Sequence, residues 1–211
     1  MNQFPQGPGF MNFVMSMDPA AITAEKSELR RTISRLKAAQ SPQQYLEASS
    51  IITGSLEMLP EFRSAKTVLA YWSYKGEVHT HDLIRKWADK KRILLPSVNG
   101  DEMLIRQYQG DDSLVPGDMF GIPEPAGPVF TAYNEIDFVI IPGIAFDRKN
   151  NRMGRGKAYY DRFLGKINAF KAGICFSFQL FETIPADEHD ILMDTVITEI
   201  SQNERRAFLR N

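Results

Sequence analysis

Cysteine is almost missing from this chain. Cys175 is the only one in 211 residues, so no internal disulfide can form, and the pattern fits a reducing, cytoplasmic compartment. Long apolar runs are missing too. None approaches the roughly 20 residues a membrane-spanning helix needs, so no membrane role is expected. Neither charge is in excess: 25 Lys and Arg against 26 Asp and Glu leave a net charge of −1. No global field therefore draws the chain to nucleic acid. The three histidines, His79, His81 and His189, show no metal-ligand spacing with other ligands and are assigned no catalytic role. There is no recognisable catalytic triad or activated cysteine. The first seventeen residues, "MNQFPQGPGFMNFVMSM", carry no charge. A secretory signal needs a basic start and a longer apolar core. Residues 1–17 therefore read as a poorly ordered extension with local packing through Phe10 and Phe13, and 18–211 as a single domain.

What is present is an alternation of helical and strand patterns. Asp18-Pro19 is a helix start, an acid at the N-cap and proline behind it. Ile22, Leu29, Ile33 and Leu36 then share one stripe as far as Gln40. Ser41-Pro42-Gln43-Gln44 repeats the start signal as a capping box. Tyr45, Ala48, Ile52, Ser55 and Leu59 continue at helical spacing to Pro60. Buried strands are predicted at "TVLAYW" (67–72), "RILLP" (92–96), "MLIRQY" (103–108), "DFVIIP" (137–142), "AGICF" (172–176) and "DTVITE" (194–199). A helix is predicted from about Thr80 to Lys90. Residues 110–135, rich in Gly and Pro, read as a long loop holding "GIPEP" (121–125). The alternation predicts a three-layer α/β/α fold around a mainly parallel sheet, with the N-terminal helical pair packed on the sheet.

The chemistry concentrates just after the strand at 137–142, in "RMGRGKAYYD" (152–161). Ligands of open parallel sheets gather at the carboxyl ends of strands. Gly154 and Gly156 allow close backbone approach and positive φ. A helix starting near Gly156–Lys157 and running to about Asn168 would point free N–H groups at a phosphate. Arg152, Arg155 and Lys157 add charge-assisted donors. Asp161, one turn on, suits a Mg²⁺ bound to that phosphate, because Mg²⁺ takes few carboxylates and keeps its waters. The spacing fits neither the P-loop nor the dinucleotide fingerprint. From these residues alone, a solvated basic turn with a helix cap stays open as the alternative.

"PGIAFDRKNNRMGRGKAYYDRFL" resembles the signature of the 5-formyltetrahydrofolate cyclo-ligase family, whose members are also called methenyltetrahydrofolate synthetases. The likeness continues in "EKSELRR", "YWSYKGEVHT", "FGIPEP" and "HDILMDTVITE", in order over roughly residues 24–200. There are departures. Ala158 stands where the family has a third loop glycine, Met153 where it has leucine, and the spacer between Asp147 and Arg152 is a residue or two longer. None removes a charged group.

The resemblance implies an architecture like that of sugar-phosphate isomerases and coenzyme A transferases. It implies ATP as co-substrate and 5-formyltetrahydrofolate as substrate, in a reaction that yields 5,10-methenyltetrahydrofolate, ADP and phosphate. Carried over residue by residue, it places Lys26, Arg30 and the stretch Arg152, Met153, Gly154, Arg155, Gly156, Lys157, Ala158, Tyr159 and Tyr160 on ATP. It places Trp72, Glu77 and Tyr159 on the folate, and Mg²⁺ on Asp161 and Asp194. Arg155, Lys157 and Tyr160 are the expected catalytic residues. Without the resemblance, Lys26 and Arg30 read as snorkelling side chains, Glu77 as an edge-strand acid, and Asp194 as a strand-start cap. A monomer is expected, since no long apolar surface stripe is left over.

Overall fold

The computed structural model describes residues 19–118, 121–186 and 190–200. The segment 1–17, the cap at Asp18, His189 and the locally basic run "ERRAFLR" (204–210) lie outside them.

Helix α1 covers Pro19–Ala38 and α2 Pro42–Glu57, whose capping box forms: the Ser41 hydroxyl accepts from the Gln44 N–H and the Gln44 side chain from the Ser41 N–H. Each bond satisfies a donor that the first helical turn leaves free. A five-residue helix, α3 (Pro60–Ser64), follows. Strand β1 (Thr67–Leu69) is shorter than the run at 67–72. Next come α4 (His81–Ala88), β2 (Arg92–Asn99) and β3 (Glu102–Gln107). The expected loop at 110–135 contains a small hairpin, β4 (Leu114–Pro116) with β5 (Pro123–Pro125). Beyond it lie β6 (Phe138–Ile141), β7 (Ala145–Asp147), β8 (Arg152–Met153), α5 (Tyr159–Leu164), β9 (Phe170–Ile174), β10 (Leu180–Phe181) and β11 (Thr195–Ile197).

The central sheet has the order β11-β9-β6-β1-β2-β3. All neighbours are parallel except the β2–β3 hairpin at one edge. Its strands alternate between two cores, as a pleat of period 2 requires. Val68, Ala70, Ile93, Leu95, Phe138 and Ile140 join Ile52, Leu56 and Ile84 of α2 and α4 on one face. Leu69, Leu94, Val139 and Ile141 join Phe163 and Leu164 of α5 on the other. Burial on both faces explains why these strands read as continuous apolar runs rather than alternating ones. α1 seats Ile33 against Ala145 and Met153.

A second, three-stranded sheet has the order β10-β7-β8, and none of its strands is among those predicted from sequence. Asp147 builds it. This fully buried carboxylate accepts from the N–H groups of Lys149, Asn151 and Ile184 and from the Asn151 amide. It thereby fixes the turn that delivers Arg152. Gly143 is required here, because a Cβ would stand 2.5 Å from the Phe146 ring.

Candidate active site

A cleft of about 570 Å³ opens at the carboxyl ends of β1 and β6, where Tyr71, Trp72, Pro142 and Gly143 line it. Its other walls are α1, β2, the 152–161 segment and the β4–β5 hairpin. The segment from Arg152 to Asp161 lines it without a break, joined by Lys26, Arg30, Trp72 and Glu77. The structure therefore brings together every sequence-predicted site residue except one.

The expected helix start is corrected. Gly156 adopts φ 100° and Ala158 φ 52°, so the backbone turns twice before α5 begins at Tyr159. The helix runs only to Leu164, not to Asn168. A non-glycine residue in the left-handed region costs roughly 1–2 kcal/mol, and Ala158 carries that cost where the family signature has glycine. Six residues make a weak dipole. The donors at this site are side chains and loop amides rather than a long helix end.

Four of the cleft cations, Lys26, Arg30, Arg152 and Arg155, have an acid or a carbonyl beside them. Lys26 Nζ lies 3.2 Å from Asp190 Oδ2. Arg30 Nη2 donates to the Gly154 carbonyl at 3.3 Å, while its Nε is buried without a partner. Arg152, 4% exposed, pairs with Asp161 at 2.6 Å and lies 5.6 Å from the Tyr160 ring centroid. Arg155 reaches Glu77 at 2.7 Å, and the other Glu77 oxygen accepts from the Tyr74 N–H at 2.9 Å. Lys157 is exposed on the rim.

The two tyrosines differ. The Tyr159 hydroxyl donates to the Gly100 carbonyl at 2.8 Å, and Arg162 donates to the Asp101 carbonyl at 2.8 Å. Together they tie α5 to the β2–β3 turn. The Tyr160 hydroxyl is buried without a hydrogen-bond partner. Burial, followed by the charge of Glu77, pushes its pKa well above the usual phenol value. It therefore stays protonated as a donor.

Two expectations gain detail and one changes. Met153 is 2% exposed and packs with Ile33, Ala145 and Ile184, so its side chain belongs to the core at the cleft floor. Trp72 lines the cleft, but its ring already stacks on His81, with centroids 3.9 Å apart. Asp194 does not meet Asp161. It precedes β11 at the amino end of the sheet, where its carboxylate accepts from the Lys171 N–H at 2.7 Å and faces Lys171 Nζ at 3.4 Å. The acid of that run that reaches the cleft is Asp190, four residues earlier. Sequence reasoning missed it. Its partner Lys26 is 164 positions away, and the only local signal was a second acid in "HDILMD".

Two carboxylates, Asp161 and Asp190, thus face the cleft on the basic side. Among the described residues, no group of three or more His, Cys, Asp and Glu gathers to hold a metal. An all-oxygen pair that leaves other positions to water and phosphate fits Mg²⁺.

Residues 22–199 match the 5-formyltetrahydrofolate cyclo-ligase family. The chain belongs to that family. The 5-formyltetrahydrofolate cyclo-ligase of Haemophilus influenzae is 30% identical over 83% of this chain and 98% of its own length. The mouse protein of the same name is 26% identical over 88% and 98%. Among solved structures, Aquifex aeolicus 5,10-methenyltetrahydrofolate synthetase superposes with a TM-score of 0.76 at 36% identity, covering 83% of this chain and 90% of that one. The Mycoplasma pneumoniae synthetase gives 0.68 at 27%, covering 83% and 99%. This member of the cyclo-ligase family is an enzyme, with the α/β architecture of those neighbours.

Proposed function

We propose that the cleft closes 5-formyltetrahydrofolate to 5,10-methenyltetrahydrofolate at the expense of ATP, releasing ADP and phosphate. The observation that carries this reading is the set of three ion pairs, Lys26–Asp190, Arg152–Asp161 and Arg155–Glu77, gathered in one cleft of the fold its relatives share. In each pair the cation sits on a long side chain that can turn to a phosphate. The acids so released are then free for other work. Asp161 and Asp190 would hold Mg²⁺, which supplies charge neutralisation between the phosphates. Glu77 becomes an acceptor for folate N–H groups.

The reaction has one chemical obstacle: a formyl oxygen leaves poorly. In the proposed sequence the formyl oxygen attacks the γ-phosphorus, and the bond from that phosphorus to ADP breaks. The N10 lone pair then bonds to the formyl carbon and N10 releases its proton to solvent. The bond from carbon to phosphorylated oxygen breaks, and phosphate leaves with that electron pair, giving the methenyl bridge. The chain itself orients and neutralises. Arg152, Arg155, Lys157 and the loop amides hold phosphate oxygens. The protonated Tyr160 hydroxyl donates to an oxygen that gains charge. No covalent enzyme intermediate is needed. No described helix is long and apolar enough to cross a membrane.

The test is direct. Purified protein mixed with ATP, Mg²⁺ and 5-formyltetrahydrofolate is expected to show the near-ultraviolet absorbance of the methenyl product growing in. Chelator and ATP-free controls should stay flat. Growth without ATP, or none under any condition, would refute the reading.

A further inference from the structure

The motif "GIPEP" takes no part in the reading above, although it forms a wall of the cleft. Four acids line that cleft: Glu77, Glu124, Asp161 and Asp190. Three are ion-paired to cleft cations. Glu124 is not. It lies on β5, 8% exposed, and its Oε2 accepts from the neutral Val98 N–H at 3.1 Å. Its neighbours on the cleft wall are Pro96, Val98, Met103, Ile122 and Pro123. Room has been made for it: a Cβ on Gly117 would stand 2.4 Å from its Cδ. The nearby charges are Asp118 and Arg106, and Arg106 donates to Ser97 and the Gly127 carbonyl instead. Burial raises the Glu124 pKa above its usual value.

A carboxylate in an apolar wall, not ion-paired to a cation, is costly. It is the kind of group that marks a binding site. The chemistry of the proposed ligands selects what it binds. A triphosphate is anionic and repelled, and so is the glutamate tail of a folate. The aminopyrimidinone edge of the pterin presents an amino group and a ring N–H side by side, and a carboxylate accepts both.

We propose that Glu124 recognises the amino edge of the folate heterocycle and sets the specificity of the apolar half of the cleft. This rests on the folate reading of the same cleft.

The experiment measures equilibrium binding without ATP, so that nothing turns over. The probes are 5-formyltetrahydrofolate and its analogue with methyl in place of the 2-amino group. Wild type is expected to bind the analogue about 10–100-fold more weakly, because the site's acceptor loses its donor. In Glu124→Gln the parent is expected to bind about 10–100-fold more weakly and the discrimination to fall below about 3-fold. Binding of a non-hydrolysable ATP analogue should not change. Thermal stability should hold or rise, since the amide still accepts from Val98 without a buried charge. A merely structural glutamate would instead lower stability and leave the discrimination intact. Equal affinity of wild type for parent and analogue overturns the assignment, even where the Gln variant fails to fold. Weakened nucleotide binding with folate unchanged also overturns it. If wild type binds no 5-formyltetrahydrofolate at all, the folate reading of the cleft falls as well.

Discussion

The two ends of the central sheet both carry acids, but their partners differ in kind. At the amino end, Asp137 and Asp194 each stand one residue before a strand, β6 and β11. Asp137 accepts from the N–H groups of Lys66 and Thr67 at 2.7 and 2.9 Å, and its own N–H donates to the Thr67 carbonyl. Asp194 repeats the arrangement on β9: its carboxylate takes the Lys171 N–H and its N–H the Lys171 carbonyl. At the carboxyl end, Glu77, Asp161 and Asp190 instead face Arg155, Arg152 and Lys26. A backbone amide cannot leave, so its bond to an acid is part of the fold. A cation on a long stem can leave, so its bond to an acid describes one state of the site.

The largest test of this contrast pairs two aspartates four residues apart. Asp190→Asn is expected to cut turnover roughly 10²–10³-fold, the usual loss when one charge-stabilising group is removed. It should also weaken the Mg²⁺ dependence of nucleotide binding, followed by titration calorimetry. Asp194→Asn should leave turnover within about 2-fold, as expected of a substitution away from the chemistry. The reverse pattern would return Asp194 to the metal site and break the comparison. Asp161→Asn should resemble Asp190→Asn in turnover but also lower stability, because it leaves the buried Arg152 unpaired.

That Asp194 rather than Asp190 drew attention shows what a sequence can reveal. The capping box at Ser41 was legible because both partners lie within one turn. The strands were legible because burial on both faces leaves an unbroken apolar run. The glycine loop was legible through its charges and its resemblance. The rest depended on pairings far apart in the chain. Asp190 meets Lys26 only in the fold. The β7–β8 turn exists because Asp147 gathers four donors, one of them from Ile184. α5 starts late because Ala158 takes a left-handed conformation that helical spacing cannot show. β4 and β5 are three residues each and contain Pro116, Pro123 and Pro125, which argue against strand on propensity.

The amino end should answer in stability rather than rate. Asp137→Ala strands two strand-start amides, and Asp194→Ala strands one. Each is expected to cost roughly 1–3 kcal/mol, Asp137 the more, or about 2–4 °C of melting temperature per kcal/mol at this size. A melting temperature unchanged in both would show that neither acid holds the sheet.

Acid sensitivity should come from the carboxyl end. Burial, and then His79, lower the pKa of His81, stacked on Trp72, to about 4. The unfolded chain keeps the ordinary value near 6.5. Between these values the unfolded state binds more protons, so this contribution is complete above about pH 6.5 and lost as the pH falls toward 4. With discount for its partial exposure it amounts to about 1–2 kcal/mol. Melting temperatures at pH 7.5 and pH 5 should differ less in His81→Phe, which keeps a ring against Trp72 and cannot titrate. An equal drop in both proteins would assign the acid sensitivity elsewhere.

The smallest expected effect has the most telling sign. If the Arg155–Glu77 pair is a resting state, then Glu77 competes with phosphate for Arg155. Glu77→Gln weakens that competition while keeping an acceptor for the Tyr74 N–H. Arg155 is substantially exposed, so the pair is worth little, roughly 0.2–1 kcal/mol. The variant should therefore bind a non-hydrolysable ATP analogue about 1.5- to 5-fold more tightly than wild type. Damage to a binding site weakens binding, so a gain of this size has few other origins. By linkage, a folate that draws Glu77 away should strengthen nucleotide binding in wild type by a similar factor, and that enhancement should vanish in Glu77→Gln. If the variant instead binds the analogue more weakly, with no change in melting temperature, then Glu77 supports the phosphate site directly. The carboxyl end would then hold its acids as firmly as the amino end does.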